Sequence, residues 1–111
     1  MARMLVIYKT PKDPAAFDRH YFGVHVPLAS GLPGLRRYEV SKGPIRALAS
    51  ARDPYLVATL HFDSMSAIQE AFASDLGKQC AADRRVFAPN DEDLQMFLFE
   101  SAEAMGVLTR R

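Results

Sequence analysis

Between residues 21 and 40 the chain reads Y-F-G-V-H-V-P-L-A-S-G-L-P-G-L-R-R-Y-E-V, and this run holds the imidazole of His25 and the phenol of Tyr38. Histidine changes charge near neutral pH and can take or give a proton during a reaction. A phenol can hold a ligand oxygen or polarise a carbonyl. Pro27 has no N–H to offer the carbonyl of Gly23, so a helix running through this segment should open beside His25. Val26, immediately ahead of that proline, should leave the α region. A histidine next to an open carbonyl, at the edge of a core, suits a general acid, a general base or a ligand-binding group. The alternative is a structural histidine that donates to a loop carbonyl and fixes the connector. Tyr38 is open in the same way, between a ligand contact and a core ring with its hydroxyl at the rim.

The remaining reactive side chains are less pointed. His61 stands between Leu60 and Phe62 and should face away from both, toward a pocket or a subunit seam. His20, beside Arg19, reads as a solvated residue on a helix flank. Cys80 shares a helical stripe with Leu76 and Phe87 and reads as a small buried hydrophobe without a neighbouring base. His20 and His25 lie five residues apart, on poorly aligned faces of a regular helix, and with His61 they match no metal-ligand spacing. The six glycines form no phosphate-cradling loop, so no nucleotide, flavin or metal cofactor is expected.

Charge and hydropathy narrow the partners. Fourteen basic and thirteen acidic residues leave a net charge of +1, which steers neither nucleic acid nor an anionic membrane. The apolar runs are too short to cross a bilayer, and the start lacks the pattern of a signal peptide. With one cysteine and no internal disulfide possible, a cytoplasmic protein is the expectation.

These side chains need a frame. Residues 3–9 read as a first strand, and Asp13-Pro14 as a helix start with a capping carboxylate and a proline where the missing N–H costs nothing. Phe17, Tyr21, Val24 and Leu28 form the apolar stripe of that helix. A turn-rich connector over 30–34 leads to a second strand over 35–45, weakened at Lys42-Gly43-Pro44, then a loop over 46–53. A third strand follows over 54–63. Ser66 with Gln69 resembles a capping box, and Asp75 a cap for a helix carrying Leu76, Cys80, Arg84 and Phe87. A fourth strand spans 93–101, and 102–111 is a tail.

The order β-α-β-β-α-β predicts one ferredoxin-like α+β domain over 1–111, with its core at about 3–101 and an antiparallel sheet carrying both helices on one face. Residues 4–8 and 95–99 are apolar on both sides, where a sheet with one wet face should alternate. The face away from the helices therefore needs cover. A second copy is the economical source, two sheets closing into a dimeric α/β barrel.

The segment H-x-P-L … L-P-G-L-x-x-Y, here His25, Pro27, Leu28, Leu32, Pro33, Gly34, Leu35 and Tyr38, follows an opening strand with Y-K-x-P. Together they resemble the EthD family of dimeric α/β-barrel proteins, over residues 4 to about 101. The resemblance implies the paired ferredoxin-like subunit. It also implies a part in the breakdown of ethers and other small organics or in polyketide-type pathways, often under an oxidoreductase heading. The chain is similar, too, to methylmuconolactone isomerases, whose pocket histidine and tyrosine fall at His25 and Tyr38. Where those enzymes carry a further histidine and a cysteine, this chain has Arg52 and Leu60.

The expected function is thus a small cofactor-independent enzyme, an isomerase, dehydratase or oxidoreductase-associated protein. Its substrate would be a small apolar oxygenated or polyketide-type molecule in a pocket between the sheet and the first helix. His25 would move a proton or polarise a carbonyl, and Tyr38 would hold the same oxygen. Tyr21, Arg52 and His61 are the further candidate substrate contacts, Arg52 drawing an acidic molecule to the mouth. The same pocket would also serve an accessory protein that carries a hydrophobic metabolite without changing it.

Overall fold

In the computed structural model, which describes residues 1–49 and 52–105, strand β1 (Ala2–Tyr8) alternates strictly. Ala2, Met4, Val6 and Tyr8 are buried, while Arg3, Leu5 and Ile7 between them are half-exposed. Strand β3 (Leu56–Phe62) repeats the pattern beside it. β4 (Leu94–Glu100) pairs with the other edge of β1, and the short β2 (Arg37–Val40) pairs with the far edge of β3. The order is β2-β3-β1-β4 and each neighbouring pair runs antiparallel. Register places Tyr38 opposite Leu60, and Leu60 opposite Met4, so Tyr38 shares the buried side of the sheet.

The helices pack on that side. α1 (Pro14–His20) begins where the Asp13 carboxylate accepts from the Ala16 N–H at 3.0 Å. It passes without interruption into a π turn (Tyr21–His25) and then α2 (Val26–Ala29). α3 (Met65–Ala73) and α4 (Asp75–Phe87) form the second helical pair, and a short 3-10 turn (Asp91–Asp93) leads into β4. Gly77 is required where α4 leaves α3, since a Cβ there would stand 2.3 Å from the Ala71 carbonyl oxygen.

Several expectations are corrected. The helix widens at Pro27 instead of breaking: Val26 donates to Tyr21 O, five residues back, and the chain stays helical to Ala29. Val26 keeps α geometry (φ −60, ψ −48), because the widened turn gives the pyrrolidine ring the room a regular turn would deny it. The π turn also shifts the buried stripe. Phe17, Tyr21, His25 and Ala29 are buried, each four residues after the last, and Val24 is 47% exposed. In an unbroken α-helix a spacing of four drifts by about 40° per step, and the extra residue in the turn absorbs that drift.

The caps of the later helices are Ser64 and Ser74, which accept from the Ala67 and Gly77 N–H groups at 3.1 Å, rather than Ser66 and Asp75. β2 ends at Val40, short of the expected strand, ahead of Gly43 with its positive φ of 75. Residues 50 and 51 of the expected loop and 106–111 of the tail lie outside the described residues.

The helices leave β4 largely uncovered. Met96 and Leu98, on the helix side, are 49% and 48% exposed, and Phe97 and Phe99, on the other, are 45% and 41% exposed. Leu5, Ile7 and Val57 continue that second apolar surface across the sheet. Among the described residues, no helix is long and apolar enough to cross a membrane.

Candidate functional site

Three of the candidate residues meet in one place. β2 returns Tyr38 beside β3, and α1 with its π turn presents Tyr21 and His25 above it. All three line a cavity of about 170 Å³ between the sheet and the helices, with an apolar floor that includes Met4, Val6 and Leu60. The Tyr21 and Tyr38 hydroxyls stand 2.6 Å apart. One of their protons occupies the shared bond, and the other is left for a ligand oxygen. Burial pushes Tyr38 up to about 12, with the Tyr21 hydroxyl pulling in the opposite direction. Burial and the neighbouring Tyr38 and Tyr8 hold Tyr21 higher still. The pair therefore enters the cavity neutral, as hydrogen-bond donors.

His25 is fixed by a residue the sequence reading did not single out. Its Nδ1 lies 2.9 Å from Oδ2 of Asp83 on α4, and the Nε2 of His20 lies 2.8 Å from Oδ1 of the same carboxylate. Burial raises the Asp83 pKa, but hydrogen bonds from His20 and His25 outweigh it and hold the carboxyl below its ordinary value. An ionised carboxylate only accepts, so both rings donate to it. The His25 proton then sits on Nδ1 and its Nε2 carries the lone pair.

That nitrogen makes no hydrogen bond among the described residues, and no fully buried side-chain nitrogen or oxygen there lacks a partner, so Nε2 remains accessible on a ring that lines the cavity. Burial pushes the His25 pKa down, Asp83 pulls it partly back, and the net shift is downward. At neutral pH the ring is an uncharged base. Tyr21 stacks on it with centroids 5.5 Å apart, and Phe87 meets it edge-on at 4.8 Å, fixing its plane.

The other candidates stand elsewhere. His61 faces the opposite side of the sheet, with Nε2 against Glu39 Oε1 at 2.5 Å, away from Tyr21, His25 and Tyr38. Arg52 is exposed in the loop ahead of β3 and does not line the cavity. Cys80 is buried in the cavity wall, and burial together with Asp83 pushes its thiol up, away from a reactive thiolate. His20 is no solvated flank residue, since its side chain is 27% exposed and bound to Asp83.

Besides Asp83, the site includes Tyr8 and Arg84, which sequence reasoning left in other roles. Burial drives the Tyr8 hydroxyl up, and it makes no hydrogen bond among the described residues. Asp83 lies three residues after Cys80 and four before Phe87, a helical spacing that marks its face. Its link to α1 is long-range and left no trace in local sequence. Among the described residues, no group of three or more histidine, cysteine or acidic side chains is placed to hold a metal ion.

A four-stranded antiparallel sheet in the order found here, with helices on one face and a small cavity between, defines the ferredoxin-like α+β class. Within it the chain belongs to the EthD family: the EthD domain pattern matches residues 9–91. It is 39% identical over 88 residues to an uncharacterized 11.0 kDa protein from the thcB-thcC intergenic region of Rhodococcus erythropolis, covering 79% of this chain and 84% of that one. An EthD family protein of Bacillus halodurans superposes with a TM-score of 0.81 at 30% identity, covering 92% of this chain and 99% of that one.

More distant structures share the fold. SnoaB of Streptomyces nogalater, described as a cofactor-independent oxygenase, matches with a TM-score of 0.66 at 14% identity over 96% of this chain and 97% of that one. A Thermobifida fusca protein described as dimeric and ferredoxin-like matches with a TM-score of 0.62 at 15% identity over 88% of each chain.

Proposed function

We propose that this EthD protein is a cofactor-independent enzyme that removes a proton from a small, activated organic molecule held in the cavity. The observation that carries the reading is the Asp83-backed His25 with its Nε2 unprotonated, placed in one apolar cavity with the Tyr21–Tyr38 pair. A carboxylate behind Nδ1 fixes the tautomer and stabilises the imidazolium that forms when Nε2 accepts a proton. The phenols supply donors for the oxygen on which negative charge develops. An apolar cavity of about 150 Å³ admits benzene, so the 170 Å³ here suits a molecule of about one ring.

The substrate class that fits is a single-ring or similarly small compound with a carbonyl or phenolic oxygen beside an acidic C–H or O–H. Returning the proton to another carbon gives isomerisation. Losing an adjacent hydroxyl gives dehydration. SnoaB, of the same fold, is described as a cofactor-independent oxygenase, and an electron-rich enolate or phenolate is also the kind of species that such chemistry can start from.

The test is deuterium exchange at the activated carbon of small cyclic β-diketones and enones, followed by proton NMR in heavy water. The protein should accelerate exchange of at least one probe catalytically. Tight binding of these probes with exchange at the solvent rate would favour a carrier instead.

The working unit we propose is a homodimer through the sheet face opposite the helices, where Leu5, Ile7, Phe97 and Phe99 lie together. That surface is large for a monomer to leave in water, and the Thermobifida fusca neighbour is described as dimeric. Light scattering at micromolar concentration should give twice the 12.4 kDa chain mass. Phe97→Glu should shift the protein toward monomer, because a charge would enter the seam unpaired. A stable monomer of the parent protein would remove this assembly.

A further inference from the structure

We propose that His20 is a positioning residue that sets the working pH of His25 through the carboxylate they share. This rests on the reading of His25 as the proton-accepting group. In a regular α-helix two residues five apart are turned from each other by about 140°. The π turn between them removes that offset and brings Nε2 of His20 and Nδ1 of His25 onto the two oxygens of Asp83, at 2.8 and 2.9 Å. Each donor fills one oxygen, so His20 holds the carboxylate in the rotation that serves His25.

The two rings look into different spaces. His25 lines the inner cavity, with its side chain 10% exposed, whereas the His20 side chain is 27% exposed and lines a separate, wider cleft at the end of the sheet. The charged groups lining that cleft are Lys9, Lys12, Asp13 and Asp93, which cancel in sign. Arg19 and Asp18 flank His20 on its own helix, and Arg84 lies on α4 beside Asp83. Tyr8 walls both spaces, Phe87 walls the cleft and meets the His25 ring, and neither carries charge at neutral pH. Asp83 is then the charge in hydrogen-bond contact with His20.

A positive charge on His20 would cancel much of the field of Asp83 and oppose protonation of His25. His25 thereby stays a base further into the acid range.

His20→Gln tests the idea, because its amide N–H can still reach Oδ1 but never becomes charged. Imidazole NMR titrations of the free, full-length protein should show His25 gaining protons about one pH unit higher in His20→Gln than in the parent. His20→Leu, which removes the donor as well, should also broaden the His25 resonances as the carboxylate loses its fixed rotation. An unchanged His25 titration in His20→Gln would overturn the proposal, even if His20→Leu fails to fold. No substrate is needed, so this failure is separate from failure of the enzymatic reading, which the exchange assay reports.

Discussion

Replacing His25 by alanine lowers catalysed exchange by roughly 10²–10⁴-fold, the usual contribution of a positioned general base. The fold should survive. His25 is 8% exposed and borders an existing cavity, so truncation enlarges a space that is already there instead of opening a sealed void in the core. Asp83 keeps His20 as a partner, which limits the cost of leaving one oxygen unfilled to about 1–3 kcal/mol. Free imidazole added to the alanine variant should restore part of the rate, because the ring removed leaves a slot between Tyr21 and Phe87.

Exchange catalysed by the parent protein should be lost only below the ordinary histidine value of 6.5, since burial lowers the pKa of His25 and the base works in its uncharged form. Exchange by His25→Ala at the parent rate, at equal folded fraction, would return His25 to a structural role.

Stability should fall steeply above about pH 10, the second large effect expected. Tyr8, Tyr21 and Tyr38 all have pKa values raised from the ordinary 10.0, chiefly by burial, with Tyr38 at about 12 and the other two higher. Below pH 10 these phenols are neutral in both folded and unfolded chains and the stability they contribute is fully present. As pH rises past 10.0 the unfolded chain ionises first and the folded one still holds its protons, so stability is lost through the folded values.

Each such group costs about 1.4 kcal/mol per pH unit, and three together about 4 kcal/mol. That is a large part of the 5–15 kcal/mol typical of a domain. Urea melts at about pH 9 and about pH 11 should differ by several kcal/mol, with the phenolate absorbance of these three tyrosines rising only as the protein unfolds. Equal melts, with three phenols ionising near 10 in the folded protein, would show that the rings are not packed as described.

Much of the frame could be read from local signals. The strands announce themselves through β-rich runs, Asp13-Pro14 starts the first helix as expected, and the double-sided apolar character of residues 95–99 matches the exposure of both faces of β4. The expectation failed where one local rule competed with another. Pro27 signals a break, yet the chain relieves the clash with one extra residue in a turn and continues. That same turn moves His25 from the margin of the stripe into it and makes partners of two histidines that regular spacing would separate.

Serine caps one residue ahead of Asp75 and two ahead of Ser66 were a matter of choosing among adjacent polar residues. Asp83 belongs to a different kind of omission. It is 58 residues from His25, and nothing in a helical stripe names the residue across the interface. Arg52 and His61 carried plausible chemistry by type, but the loop and the strand alternation put both away from the cavity.

The most direct measurement is the tautomer of His25 in the free protein at neutral pH, from nitrogen-15 shifts and couplings of its ring. His25 should carry its proton on Nδ1, shared with Asp83, and leave Nε2 bare. Asp83→Asn should disturb that preference without unfolding the chain. A proton on Nε2, or a ring already doubly protonated at neutral pH, would leave no base in the cavity and contradict the proposed function.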